Sequence, residues 1–161
     1  MIIVVMGVSG AGKTTIGRLL AQRLQGDFLE GDELHPAANI AKMARGVPLT
    51  DADRAPWLAA IRDRIAVAEQ QRRTLVVACS ALKQQYRDAL TAAGPLIWVY
   101  LEGSPALLHA RLEQRQGHFM KAGMLDSQIA TLEPPRGAIV ADAATAPEQI
   151  VSDILARLPA G

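Results

Sequence analysis

The sequence has a single cysteine, little net charge and only a short apolar run at its start, and each of these features excludes certain classes of protein. The single cysteine, Cys79, cannot form an internal disulfide, which is typical of a reducing compartment. With a formal net charge of +1 and no basic run, we expect no nucleic-acid partner. The apolar run MIIVVM at residues 1–6 is too short for a signal peptide or a membrane span. These features favour a cytoplasmic protein with no membrane partner.

The remaining composition is that of an ordinary globular protein. Half of the residues are hydrophobic and 20% are charged. A chain of 161 residues is long enough to bury its own core, and it predicts a single domain over residues 1–161.

Strand-like and helical segments alternate at least five times along the chain. The strand-like segments are IIVVM, FLE, TLVVACS, LIWVYLEG and AIVADA. The segments that follow them indicate helices, at about 13–24, 36–46, 53–72, 83–93, 104–115 and 147–158, whereas residues 116–136 have poor periodicity. This alternation predicts a three-layer α/β/α fold with a five-stranded parallel sheet. Ligands bind such sheets beyond the carboxyl ends of the strands, so the residues after each strand are the site candidates.

The segment GVSGAGKT follows the first strand and matches the phosphate-binding loop of P-loop proteins. Its glycines let successive backbone N–H groups turn toward a phosphate, and the helix N-terminus adds partial positive charge. The lysine offers a charge to the β- and γ-phosphates, and the threonine hydroxyl is a ligand for Mg²⁺. We therefore predict that a nucleoside triphosphate is bound by Gly7, Val8, Ser9, Gly10, Ala11, Gly12, Lys13, Thr14 and Thr15, with catalytic Lys13 and with Thr14 as a metal ligand.

The segment EGDELHP concentrates carboxylates directly after the second strand. The third strand ends in no acidic residue, so a carboxylate for Mg²⁺ has to come from elsewhere. One of Glu30 and Asp32 can hold the metal through water, while the other accepts the proton of an attacking hydroxyl. We assign Glu30 to the metal and Asp32 to the hydroxyl, and the reverse assignment stays open. Glu33 is expected to be solvated. The three histidines lack the paired spacing of a zinc site.

Four segments resemble, in order, the signatures of the bacterial-type gluconokinases. They are GVSGAGKT, GDELHPAANIAKMARGVPLTDADRAPWL, CSALKQQYRDAL and RQGHFMKAGMLDSQIATLEPP. Gluconokinases are small P-loop kinases similar in fold to shikimate kinase and the nucleoside monophosphate kinases. The resemblance implies ATP-dependent phosphorylation of D-gluconate at its 6-hydroxyl, with Mg²⁺, by a homodimer. The alternatives are a kinase of another small hydroxy acid, such as shikimate, and a non-catalytic nucleotide-binding module. The chain departs from many relatives, which have Asp-Gly-Asp where this sequence has Glu30-Gly31-Asp32.

The resemblance and the chemistry of gluconate together suggest which side chains bind it. A carboxylate prefers a cationic partner, above all a guanidinium fork, and the hydroxyls need short polar partners. The helices at about 36–72 and the segment after the third strand supply both kinds. The predicted substrate-binding residues are Asp32, His35, Arg54, Ser80, Lys83 and Arg87.

By the same resemblance, residues 116–128 correspond to a mobile lid, which closes over the phosphates and excludes water. Arg111 and Arg115 end the preceding helix. We assign Arg115 to catalysis, where it stabilises charge on the transferred group, and Arg111 to the adenine. Capping of the helix is the alternative for one of them. His118 and Gln128 belong to the family pattern, and the sequence indicates no role for either.

Other conspicuous residues have simpler explanations. Asp51 and Asp53 fit the N-terminal cap of the third helix. Trp57 and Trp98 are expected to pack in the core or at an interface. Cys79 is expected to be a small buried residue, since phosphoryl transfer at a P-loop needs no covalent intermediate.

Overall fold

A five-stranded parallel sheet forms the centre of the fold. The computed structural model describes residues 1–115 and 122–160, and in it the strands lie in the order β2-β3-β1-β4-β5. Every pairing between neighbouring strands is parallel. The strands are β1 (Ile2–Met6), β2 (Asp27–Glu30), β3 (Leu75–Ala78), β4 (Ile97–Glu102) and β5 (Ile139–Asp142). The predicted α/β fold is confirmed.

Helices cover both faces of the sheet. They are α1 (Lys13–Arg23), α2 (Ala37–Ala44), α3 (Asp51–Gln70), α4 (Gln84–Thr91), α5 (Pro105–Glu113), α6 (Ala122–Thr131) and α7 (Pro147–Arg157), with a 3₁₀ turn at Gly31–Leu34. α1 packs on α7 and α3 packs on α4. Right-handed crossovers place these two pairs on opposite faces. Within the two described ranges, no helix is both long enough and apolar enough to span a membrane.

Helix α6 was not predicted, because the segment 116–136 lacks a regular apolar period. Its inward face carries buried Met124 and Leu125, but also the polar Gln128, which is only 9% exposed. A glutamine on the buried face weakens the apolar stripe by which amphipathic helices are recognised. Gln128 therefore occupies a position at which a hydrophobic residue would have completed the pattern that predicts a helix.

Helix α3 begins with a capping box. The helix starts at Asp51, two residues before the predicted start at about 53. The Thr50 side chain accepts a hydrogen bond from the backbone N–H of Asp53, and the Asp53 carboxylate accepts one from the backbone N–H of Thr50. The predicted capping role of Asp53 is thus present, whereas Asp51 accepts from Tyr86 and Lys83 instead. Pro56 lies inside this helix.

The register of the sheet brings three strand ends to one edge. Val5 of β1 and Glu30 of β2 both pair with Ala78 of β3. The segments that follow these strands therefore leave the sheet side by side. All five residues of β1 are buried, so this alignment is anchored in the core.

Gly31 lets β2 approach the end of β3, and we expect Gly31→Ala to destabilise the protein. An added Cβ would collide with the carbonyl oxygen of Ala78, which is backbone and cannot move aside cheaply. Overpacking of this kind costs about 2 kcal/mol of unfolding free energy. Urea denaturation measures this loss.

Gly123→Ala is the matched control, because no atom lies within 4 Å of its added Cβ and the residue sits in a helix. That variant should be unchanged or roughly 0.5–1 kcal/mol more stable. Equal unfolding free energies for wild type and Gly31→Ala would contradict the proposed close approach.

Candidate active site

The loop between β1 and α1 has the curled backbone of a phosphate cradle. Gly10 and Gly12 have φ values of 84° and 98°, in the left-handed region that glycine adopts without strain. Gly12 is the N-cap of α1 and supplies no side-chain hydrogen bond. The first N–H groups of the helix are therefore available to an anion.

The side chain of Lys13 lies inside this loop. Its ammonium donates a hydrogen bond to the carbonyl oxygen of Val8 at 3.0 Å. Burial holds the pKa of Lys13 below its usual value, although the nearby carboxylates of Asp32 and Glu30 act in the opposite direction. The Lys13 ammonium and the carboxylates of Asp32 and Glu30 are therefore close enough to interact electrostatically.

Thr14 and Glu30 meet at the junction of the P-loop and β2. The Thr14 hydroxyl donates to a carboxylate oxygen of Glu30, and the other oxygen of Glu30 accepts from the backbone N–H of Asp32 at 3.4 Å. A hydroxyl and one carboxylate are hard oxygen ligands of the kind that hold Mg²⁺ beside phosphates. The pair therefore fits the predicted metal. Across residues 1–115 and 122–160, no group of three or more His, Cys, Asp or Glu side chains is placed to hold a metal ion.

One pocket brings most of the predicted substrate and catalytic residues together. It opens beside the P-loop, between the strand ends and helices α2, α3 and α6. The predicted residues that line it are Ser9, Gly10, Gly12, Lys13, Thr14, Asp32, His35, Arg54, Ser80 and Arg115. A cation, an acid and a guanidinium thus face one space next to the phosphate cradle.

The structure does not bring Arg87 to this pocket, which corrects its predicted placement. Arg87 is only 3% exposed, and its guanidinium donates to the carbonyl oxygens of Ala81 at 2.7 Å, Leu82 at 3.2 Å and Glu133 at 2.8 Å. Buried donors satisfied by backbone carbonyls stabilise the structure. Arg87 thereby ties α4 to the loop before it and to the segment after α6.

Lys83 also lies outside the lining of the pocket. It is the N-cap of α4, and its ammonium forms a salt bridge with Asp51 at 3.0 Å. The same ammonium lies 5.7 Å from the centre of the Tyr86 ring. The lysine therefore joins the start of α4 to the start of α3.

Arg54 is held in place from two sides. Its guanidinium donates to the carbonyl oxygen of Leu49 at 2.8 Å and to the Tyr86 hydroxyl at 3.0 Å, and it lies over the Tyr86 ring at 5.3 Å. Tyr86 in turn donates to Asp51. Tyr86 was not predicted as a site residue, although it falls inside one of the family segments.

Trp57 packs in the core, as predicted, and it also belongs to the site. It is 1% exposed, but it lines the pocket and stacks on the His35 ring, with centroids 4.2 Å apart and planes 13° from parallel. Its indole N–H donates to the carbonyl oxygen of Gly31 at 2.8 Å. Trp98 packs against the core, as expected.

Gln128 connects α6 to the P-loop. Its side-chain oxygen accepts a hydrogen bond from the backbone N–H of Ser9 at 2.8 Å, in a buried setting. The predicted lid, 116–128, is only partly covered: residues 116–121, with His118, lie outside the described residues. The lid stays a prediction.

A second cavity adjoins the P-loop, with a volume of about 320 Å³. Thr15 and Arg111, two of the residues predicted to bind the nucleotide, line it. The Arg111 guanidinium donates to the carbonyl oxygens of Ala143 at 2.6 Å and Gly10 at 3.3 Å. Arg111 therefore braces the loop against the end of β5, with one face toward the cavity.

Cys79 directly follows β3 and precedes Ser80 of the pocket lining, and we expect it to be chemically inert. It has 0% exposure, and burial raises the pKa of its thiol to about 12. The thiol therefore stays protonated at pH 8, and a protonated thiol is a poor nucleophile. Cys79→Ala should keep kcat within about twofold, and mass spectrometry should detect alkylation by iodoacetamide only after unfolding in urea. Rapid alkylation of the native protein with loss of activity would rule out this assignment.

Comparison with known proteins places the chain among small P-loop kinases. The sequence profile of a family described as "AAA domain" matches residues 2–135. The gluconokinase of Gluconobacter oxydans is 52% identical over 134 residues, a match that covers 83% of this chain and 75% of that protein. The crystal structure of a gluconokinase from Sinorhizobium meliloti superposes with a TM-score of 0.86 at 48% identity, covering 96% of this chain and 89% of that chain.

A more distant structure supports the fold. The crystal structure of shikimate kinase from Aquifex aeolicus aligns with a TM-score of 0.66 over 97% of this chain and 95% of that chain, and its 16% identity shows a shared fold alone. The family profile, over residues 2–135, spans the P-loop, the acidic turn after β2 and helices α2 and α3. On this evidence the chain belongs to the gluconokinase family.

Proposed function

We propose that the protein transfers the γ-phosphoryl group of ATP to the 6-hydroxyl of D-gluconate, giving 6-phospho-D-gluconate and ADP. The observation that carries this proposal is that Lys13 of the P-loop, the acid Asp32 and the guanidinium of Arg54 line one pocket. A phosphate cradle, a general base and a carboxylate receptor are what a sugar-acid kinase needs. Membership of the gluconokinase family supports the same substrate.

The pocket residues divide the work by their chemistry. The N–H groups of the loop and Lys13 hold the phosphates, and Asp32 accepts the proton of the attacking hydroxyl. Arg54 offers its fork to the gluconate carboxylate. His35 and Ser80 offer hydrogen bonds to the hydroxyls between the two ends. The polar side chains of the pocket thus provide a partner for the carboxylate and for the hydroxyls of an extended sugar acid.

Arg115 lies where it can support the transferred group. It lines the pocket together with Lys13, and it sits two residues beyond the end of α5. A guanidinium there stabilises charge that develops on the phosphoryl oxygens. We assign Arg111, which faces the neighbouring cavity, to the nucleotide base.

We propose Mg²⁺ as the cofactor, held by Thr14 and Glu30. The contact between their oxygens supports this pair. When bound, Mg²⁺ offsets the negative charge of the β- and γ-phosphates. The remaining ligand positions suit water and phosphate oxygens, as is usual for this ion.

We also propose a lid at about 116–128 and a homodimer, both of which rest on the family resemblance. A single kinase domain over residues 1–161 and a cytoplasmic location are proposed from the length and the composition of the chain. The bond from Ser9 to Gln128 supports the lid, because it joins α6 to the phosphate cradle. Family members are commonly dimers, which supports the homodimer.

A coupled assay of ADP release across a panel of acceptors tests the function. The panel contains gluconate, shikimate, other aldonic acids and nucleoside monophosphates, each with ATP and Mg²⁺. We expect the highest kcat/KM for gluconate, because Arg54 and the polar wall fit a carboxylate and several hydroxyls. A higher kcat/KM for shikimate or for a nucleotide would overturn the proposal.

Asp32→Asn should lower kcat far more than it weakens ATP binding. The amide keeps the shape of the side chain but cannot accept the hydroxyl proton, and general-base catalysis is worth about 10²–10⁴ in rate. Steady-state kinetics with titration calorimetry of an ATP analogue measures both quantities. Glu33→Gln is the control, since this neighbouring carboxylate is exposed and should leave kcat unchanged. Equal losses in kcat and in ATP affinity would assign Asp32 to binding.

Arg54→Ala should raise the KM for gluconate about 10- to 100-fold with a small effect on the KM for ATP, because a charge-assisted bond to the carboxylate is lost. Kinetics with gluconate and with its uncharged amide measures the effect. Wild type should discriminate strongly between the two acceptors, and Arg54→Ala should discriminate weakly.

Arg62→Ala is the matched control for that experiment, since Arg62 lies on the same helix, is exposed and pairs only with its neighbour Asp63 in the described structure. It should behave as wild type. An unchanged KM for gluconate in Arg54→Ala would remove Arg54 from the site.

A further inference from the structure

The ring of His35 is held from behind the pocket by a residue that the proposed mechanism does not use. Asn39 of α2 is 3% exposed. Its side-chain nitrogen donates to the carbonyl oxygen of Asp53 at 2.8 Å and lies 3.2 Å from Nδ1 of His35. Asn39 therefore links the start of α3 to the ring that lines the substrate pocket.

These two contacts fix the tautomer of His35. A backbone carbonyl only accepts hydrogen bonds, so the amide of Asn39 must turn its NH₂ group, not its oxygen, toward Asp53. The same NH₂ group then offers its second hydrogen to Nδ1 of His35. A neutral imidazole has one acceptor and one donor nitrogen. Since Nδ1 accepts, the proton lies on Nε2.

The surroundings keep the ring neutral. Burial lowers the pKa of His35 to about 4, with the Asp32 carboxylate acting to raise it and the Arg54 guanidinium acting to lower it. Trp57 covers one face of the ring. From α2 and α3, the other charged groups nearby are Lys42 and Asp53, which pair with each other at 2.7 Å. The ring thus takes up a proton only when the pH falls toward 4.

We propose that Asn39 is a positioning residue for substrate recognition, which holds His35 as the neutral tautomer with Nε2–H so that the ring donates a hydrogen bond to an oxygen of the bound sugar acid. The inference rests on the proposed function, because the pocket that His35 lines is the one assigned to gluconate. Asn39 would then affect the affinity for the substrate without contacting it, because it acts through His35.

A neutral donor suits this place in the pocket. Arg54 already supplies the cation that a single carboxylate needs, and Asp32 supplies an acceptor. A protonated His35 would carry a desolvation cost, and the single carboxylate of the substrate already has Arg54 as its cationic partner. A hydroxyl oxygen between the two ends of the substrate is a good acceptor for a fixed N–H donor. Because Asn39 fixes the ring, little rotational freedom is lost on binding.

Nitrogen NMR of the wild-type protein labelled with ¹⁵N-histidine tests the tautomer without substrate. We expect the His35 ring to show an unprotonated Nδ1 and a protonated Nε2, unchanged from pH 8 to pH 5. The His35→Phe variant assigns the signals by their loss. A proton on Nδ1, or an imidazolium at pH 7, would overturn the inference. This outcome does not depend on which acceptor the enzyme phosphorylates, so it separates failure of this inference from failure of the proposed function.

Substitution of Asn39 tests the link itself. Asn39→Asp keeps the shape but replaces the donor with a carboxylate that accepts from Nδ1–H. The His35 signals should then change to those of the imidazolium at a higher pH than in wild type. A titration identical to that of wild type would contradict the contact between the two side chains.

A double-mutant cycle separates positioning from mere structural support. Asn39→Leu should raise the KM for gluconate about tenfold and leave the KM for ATP within about twofold. His35→Phe keeps a ring to stack on Trp57 but removes both nitrogens. In that background Asn39→Leu should change the KM for gluconate by less than about twofold, because Asn39 acts through His35. The same tenfold increase in both backgrounds would show a structural role and overturn the inference.

Discussion

The contact between the Thr14 hydroxyl and the Glu30 carboxylate joins the two segments on which the site depends. One belongs to the P-loop, after β1, and the other to the acidic turn, after β2. Those strands are not neighbours, since β3 lies between them and pairs with both. The close approach of Gly31 to Ala78 is what lets the acidic turn cross the end of β3 and reach the loop. Backbone geometry therefore determines where the carboxylates lie.

The substrate side of the pocket is held by polar contacts between helices. The Thr50–Asp53 capping box starts α3, the Asp53 carboxylate also pairs with Lys42 of α2, and the Asp53 carbonyl accepts from Asn39. A few interactions near one helix N-terminus thus orient α2 against α3. His35 contacts Asn39 of this junction, and Arg54 follows Asp53 in α3, where Leu49 and Tyr86 hold its guanidinium.

Much of the fold was visible in the sequence because buried parallel strands are continuous apolar runs, and IIVVM, LVVA and IWVYL are of that kind. Asp32 and Ser80 were found because they follow strands. Arg87 was misplaced because spacing puts it on the same helix face as Lys83 without saying which way that face turns; in the structure its donors turn to backbone carbonyls. Stacking of Trp57 on His35 and the bond from Ser9 to Gln128 are tertiary contacts, which no local pattern reports.

The central claim is that Asp32 meets the hydroxyl that is phosphorylated, at the point where the P-loop presents the phosphate. A crystal structure of the protein with gluconate, Mg²⁺ and a non-hydrolysable ATP analogue tests it most directly. The account predicts an oxygen of Asp32 within about 2.6–3.2 Å of the 6-hydroxyl, with that hydroxyl facing the terminal phosphorus. A complex in which Asp32 faces solvent, with the 6-hydroxyl bound elsewhere, would contradict it.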